Sequence, residues 1–398
     1  MELCVFRCVV PFGATHFFAR KAKLMSISHS LRERASGIES LKVFAIILIV
    51  LSHVAQTTLK NPRVVQTIDL SHGTDNLQYL LLVFFFHFGK WGNSIFFTCS
   101  AWFLLSSDRY DKRKWFFMLF EIWVISVTIL AVTFYFIKNE ISATYIIKSC
   151  LPTFYGNNWY LTCYLLFYPI HPILNSIINQ MDKPALFRTS ITLFIIYFFF
   201  SLVGGSFFGS TIIYWITIYF VIAYSKIHLN RYTSNLRLNI TVMVVSLICS
   251  IGLIVVTNEL CLRYSFFKGQ LNRWNVNNNP FFFTLSFSMF LIASKIELKS
   301  TVINYISSLS LLIYILHENI ILRTYFRPIM INYIDTHFGY SNISFWVFVC
   351  AVLLFIISVI ITALYQKMFQ KYIKQASKVL YCWLRRCYLS AEQIIVSL

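Results

Sequence analysis

Charge is what this chain has least of: only 12% of its residues are Asp, Glu, Lys or Arg, against 58% hydrophobic and 18% aromatic. A soluble domain of this composition would have to leave much of its apolar surface in water, so a polytopic membrane protein is expected instead. Paired cysteines are missing as well. The ten cysteines are scattered through apolar segments with no Cys-x-x-Cys and no metal-ligand spacing, which points to packing rather than to a disulfide framework or a zinc site. There is no Gly-rich phosphate loop, no Gly-x-Ser-x-Gly elbow and no metal cluster, so ATP-driven transport and serine hydrolase chemistry lose support. No Pro/Ser-rich linker, low-complexity tract or internal repeat divides the chain, and a single membrane domain follows.

Ten apolar runs are long enough to span a bilayer: 41–58, 77–106, 115–137, 159–179, 186–203, 207–224, 238–257, 280–293, 302–322 and 345–365. The second is expected to bend near Gly89 and Gly92, and a Gly-Gly turn is expected at 203–207. The net charge of +19 would suggest nucleic acid in a soluble protein, but the basic residues fall mostly in the gaps between apolar runs and read as topology signals. Counted over alternate gaps, twenty-four Lys and Arg fall on one side and nine on the other, with Lys90 inside the second run. The expectation is therefore an all-α bundle of about ten transmembrane helices with both termini in the cytoplasm and no nucleic-acid partner.

The first forty residues lack a long apolar stretch followed by a small-residue cleavage site, so a removed signal peptide is not expected. Residues 1–40 read as a cytoplasmic lead, of which 1–24 is an upstream extension of a start at Met25. Residues 41–365 form the membrane domain, and 366–398 form a basic, aromatic tail suited to lying on the anionic inner leaflet.

The first run carries ionisable groups where lipid would reject them. Glu39, Lys42 and His53 lie close to one helical stripe, because eleven residues at about 100° each return to within roughly 20° of the starting face. Lys42 and His53 would stand about 16 Å apart along the axis, so they span depth rather than touch. His317 and Glu318 recur at similar depth in the ninth run. Ionisable residues inside a membrane segment are functional candidates by default. If the first and ninth helices are neighbours, two imidazoles and a carboxylate converge. A neutral imidazole, with a pKa near about 6.5, suits proton abstraction from a hydroxyl, and a carboxylate can hold its tautomer.

Ile38-Glu39-Ser40-Leu41-Lys42, ten further residues and His53 resemble the opening of the membrane acyltransferase-3 family, whose usual form is Asp-x-Leu-Arg, an apolar run and His. Here Glu39 and Lys42 keep the charges but lose the planar guanidinium fork. Residues 92–105 resemble the family's Phe-Phe-x-x-Ser-Gly-Phe-Leu signature with Ala101 in place of Gly, and the start of the fourth run at Trp159 and Tyr160 resembles its Trp-Tyr-Leu. The resemblance implies a membrane O-acyltransferase, most often an O-acetyltransferase, moving an acyl group from cytoplasmic acyl-CoA to a hydroxyl of a cell-surface polysaccharide or its lipid-linked precursor. It implies no bound cofactor, acetyl-CoA or another acyl-CoA as donor substrate, glycan-assembly proteins as partners and a bacterial plasma membrane. On this expectation His53 is the base with Lys42, Glu39, His317 and Glu318 in support; Lys42, Ser100, Arg109 and Arg113 meet the donor; Asn158, Trp159 and Tyr160 meet the acceptor. A polysaccharide polymerase or flippase-like transporter is the alternative, weakened by the shortness of the outer loops.

Overall fold

The computed structural model describes residues 36–62, 64, 77–137, 141–155, 158–200, 211–264, 279–339 and 342–397. The expected upstream extension (1–24) and the turn at 203–207 lie outside the described residues. Every regular element among the described residues is helical, as the apolar runs require, because lipid leaves no partner for an open backbone.

In chain order the helices are α1 (Ser36–Thr58), α2 (Leu77–Leu104), α3 (Lys112–Ile137), α4 (Ala143–Cys150), α5 (Trp159–Gln180), α6 (Lys183–Ile195), α7 (Thr211–His228), α8 (Asn230–Thr233), α9 (Leu236–Arg263), α10 (Pro280–Ala293), α11 (Thr301–Ser308), α12 (Ser310–His317), α13 (Arg327–Phe338), α14 (Ile343–Met368) and α15 (Gln370–Ser397). Six of them, α1, α2, α3, α5, α9 and α14, are long and apolar enough to cross a membrane. The other four expected spans take different forms. α7 and α10 are shorter apolar helices, α6 gives way to a wider π turn at Ile196–Phe200, and the ninth run is broken. Instead of one rod, 302–322 is divided among α11, α12 and a π turn at Leu322–Phe326 that leads into α13. Glu318 and Asn319 sit at the break.

α1 is the hub. Buried residues make up 61% of its apolar window against 22% in α9 and α14, so α1 is enclosed by protein while those two present most of their surface outward. Its closest partner is α2, and the reason is glycine. A Cβ at Gly89 would stand 2.5 Å from Ser52 Oγ, and one at Gly92 would stand 2.6 Å from the Ala45 carbonyl oxygen. α2 is one continuous helix through both glycines, which let the two helices approach closely. Ser52 Oγ donates to the Phe86 carbonyl at 2.6 Å, fixing the register of this seam.

The start of α1 is tied to the segment before α11. Ser36 N–H donates to the Leu298 carbonyl at 3.2 Å, and Ser36 Oγ accepts from Ser300 N–H at 2.9 Å. α11 and α12 both pack on α1, as does α13, so the first and ninth runs are neighbours. The tail forms α15, whose start is held to α3 through Gln370 Nε2 donating to Glu121 Oε1 at 3.0 Å and Phe116 against Tyr381 at 5.6 Å between ring centres.

Candidate active site

His53 lies in the last third of α1, and the break after α12 brings two groups to its ring. His53 Nδ1 is 3.0 Å from Glu318 Oε2 and 3.0 Å from His317 Nε2. His317 Nδ1 is 2.6 Å from the Ile313 carbonyl, which can only accept, so that nitrogen carries the proton and Nε2 faces His53 as an acceptor. With a carboxylate oxygen and a lone pair both directed at it, His53 Nδ1 is the N–H donor. Its Nε2 is then the nitrogen with a lone pair available for a proton, on a side chain that keeps 13% exposure.

Two guanidinium groups hold Glu318 in turn. Arg323 Nη1 donates to Oε1 at 2.6 Å and Arg327 Nη2 donates to Oε2 at 3.0 Å. Arg327 also donates to the backbone, at 2.5 Å to the His317 carbonyl and at 3.3 Å to that of His53. Ending α12 at His317 frees carbonyls that an unbroken helix would have used, and in lipid each would be costly. One planar fork therefore closes the break, pairs the acid and touches the helix that bears the imidazole. Asn319 Oδ1 accepts from Ile321 N–H at 3.0 Å and restarts the chain into the next turn.

The three side chains His53, His317 and Glu318 also have the composition of a metal triad, their ligand atoms lying within 4.8 Å of one another. The charges around them argue otherwise. Arg323 and Arg327 both occupy the carboxylate, and a divalent ion placed between the imidazoles would face two cations at contact distance. The cluster fits an oriented base better than a metal centre.

Two cavities of similar volume flank the cluster. The first, about 350 Å³, is lined by Lys42, Ser100 and Lys114 and by the rings of Tyr160, Tyr164 and Tyr314. Tyr314 lies 6.4 Å from His53 and 5.8 Å from His317 between ring centres, so this cavity ends one ring away from the cluster. Asn93 Oδ1, Ser307 Oγ and Ser310 Oγ belong to residues of the same lining and are buried with no hydrogen-bond partner. The second cavity, about 380 Å³, is lined by Gln56, Thr57, Lys60, Arg323, Thr324 and Arg327 among others.

The residues singled out from the sequence distribute unevenly over this arrangement. His53, His317 and Glu318 come together; Lys42 pairs with Glu39 at 2.8 Å and lines the first cavity with Ser100. Arg109 and Arg113 stand in the exposed cluster before and at the start of α3, and it is their neighbour Lys114 that reaches the cavity. Tyr160 lines the first cavity beside Lys42 and Ser100 and packs edge-on against Trp215 at 5.0 Å between ring centres. Trp159 lies under the Lys90 ammonium at 4.6 Å, and Asn158 is buried with Oδ1 unpartnered.

Sequence reasoning passed over Arg323 and Arg327, counting both as loop charges. The available signal was their position, five and nine residues past a membrane-embedded Glu318. Lys226, also counted with the loops, is buried, donating to the Trp102 carbonyl at 2.5 Å and to Ser106 Oγ at 2.8 Å.

A hydrogen-bonded imidazole and carboxylate held among helices apolar enough to cross a membrane mark a candidate functional site inside a membrane protein. The family model described as an acyltransferase domain, acyltransferase-3, matches residues 36–364, and the chain belongs to that family: it is a membrane acyltransferase. No curated protein and no solved structure matches it.

Proposed function

We propose that this protein is an acyl-CoA-dependent O-acyltransferase, most often using acetyl-CoA, that modifies a hydroxyl of a cell-surface polysaccharide or its lipid-linked precursor in a bacterial plasma membrane. The observation that carries the reading is His53 with Nδ1 anchored on Glu318, its ring neighbour Tyr314 lining the first cavity and the Glu318 partner Arg327 lining the second. The start of α1 faces the cytoplasm on this reading, so the first cavity receives the donor. Lys42 and Lys114 are the cations available there for the donor's phosphates. The pantetheine arm carries amides, and Asn93, Ser307 and Ser310 offer buried oxygen atoms that lack partners along the way to Tyr314.

His53 Nε2 takes the proton of the acceptor hydroxyl as its oxygen attacks the thioester carbonyl. The C–O bond forms, the C–S bond breaks, and coenzyme A leaves as the thiol once the proton is returned to sulfur. Glu318 stabilises the imidazolium that exists between those steps, and Arg327 and Arg323 keep Glu318 in place. Glu39 holds Lys42 at the cavity mouth.

The test is transfer of label from radiolabelled acetyl-CoA into surface glycan, using membranes that carry either wild-type protein or His53→Ala at matched abundance. Label that falls about 10³-fold in His53→Ala supports the assignment, in the range expected for loss of a general base. If wild-type protein transfers none in envelopes that contain its native glycan, the acyltransferase donor and acceptor named here are wrong.

A further inference from the structure

We propose that the second cavity binds an anionic group carried by the acceptor, a carboxylate or phosphate lying beside the hydroxyl that is acylated; this rests on the O-acyltransferase reading above. The argument is one of charge and of donors. Among the described residues, the lining brings three cations, Lys60, Arg323 and Arg327, and no carboxylate. Glu318 behind the wall offsets one positive charge of the two arginines, which leaves one guanidinium charge and the Lys60 ammonium without a counter-ion among the described residues. Lys60 is exposed at the rim, and Arg323 keeps 33% exposure while Glu318 holds its fork in place.

A neutral sugar would be served poorly by such a wall. Its hydroxyls donate as well as accept, and carbohydrate sites meet them with carboxylates or amide oxygens; here the amides are Gln56, Asn61 and Asn332, of which Asn61 Nδ2 already donates to Asn332 Oδ1 at 2.7 Å, and the rest of the polar lining is cationic or hydroxylic. An oxyanion needs only donors, and a fixed arginine fork with a nearby ammonium supplies them in the geometry that carboxylates and phosphates accept. Placement ties this to the chemistry. Arg327 lines the cavity and also bonds Glu318 and the His53 carbonyl, so one side chain links the anion's wall to the carboxylate that holds the base.

The experiment measures equilibrium binding to the full-length protein in lipid nanodiscs. The probes are trigalacturonic acid, the same trimer with its carboxyl groups reduced, a neutral disaccharide on a polyprenyl pyrophosphate, and coenzyme A. The expected result is that an anionic probe binds about tenfold more tightly than the reduced trimer, with a preference that shrinks in salt, disappears in Lys60→Ala and returns in Lys60→Arg. Preference for the uronic acid trimer locates the anion on the glycan; preference for the lipid-linked probe locates it on the carrier. Equal binding of the reduced trimer overturns the inference, as does a Lys60→Ala effect confined to coenzyme A. Label transfer is read separately. Native envelopes that take no label refute the donor and acceptor proposed above while the binding data still decide this inference, and transfer to neutral and acidic acceptors with equal affinity refutes only the inference.

Discussion

The two cavities beside His53 are nearly the same size, about 350 and 380 Å³, yet their walls are built on opposite plans. The first is mainly aromatic and aliphatic, its cations Lys42 and Lys114 lie on the far side from Tyr314's neighbours in the cluster, and its interior polar atoms are uncharged. The second has mainly polar side chains, with Pro62 and Pro328 between them, and carries the two arginines that hold Glu318. Volume therefore says little about what each admits; the position of charge says more. A slender apolar-walled chamber suits an acyl thioester on a flexible arm, because charge is needed only for the distant phosphates. A chamber with cations next to the base suits a ligand whose own charge lies close to the reacting atom.

The strongest way to break this comparison is to alter the carboxylate that holds His53. Glu318→Gln keeps the shape but removes the charge that orients His53, and transfer is expected to fall about 10²- to 10³-fold with both substrates still bound. Binding of donor and acceptor analogues alongside turnover checks this; loss of binding to the same extent as turnover would make Glu318 a structural ion-pair partner only. A smaller effect is expected at the α1–α2 seam, which carries Ile46 and Ile49 of the first cavity's wall. The Cβ added by Gly92→Ala meets a backbone carbonyl, which cannot turn aside, so a loss of about 1–3 kcal/mol is expected in detergent unfolding, with weaker donor binding. Gly89→Ala, whose nearest neighbour is the Ser52 side chain, should be milder, and the reverse order would mean that the seam is not closed as described.

What could be foreseen from sequence follows from range. The helical content and the candidate imidazoles were legible because composition and a stripe on α1 are local properties. So was the convergence of His53 with His317 and Glu318, since it needed only the first and ninth runs to be neighbours. The break after His317 was not legible, because its stability comes from Arg327 reaching back ten residues to the His317 carbonyl and across to α1. A hydropathy window sees 302–322 as one apolar run and cannot see a guanidinium that replaces lost helix bonds. The same limit hid the buried state of Lys226, which looked like a topology signal until Trp102 of α2 and Ser106 just after it supplied its carbonyl and hydroxyl partners.

The sharpest test of the comparison lies in two lysines, one at each chamber. Lys42 pairs with Glu39 at 2.8 Å and keeps 27% side-chain exposure, so the bond between them is partly screened and its loss should cost the fold little. Its value lies instead in charge at the mouth of the first cavity. Lys42→Gln is expected to raise the KM for acyl-CoA about three- to tenfold with kcat nearly unchanged, since a contact made equally in ground and transition states alters binding alone. The acceptor KM should stay where it was. A turnover number lowered about a hundredfold, with the donor KM unchanged, would place Lys42 in the chemistry rather than at the mouth. It would also mean that the two chambers differ less in the position of their charge than their walls suggest.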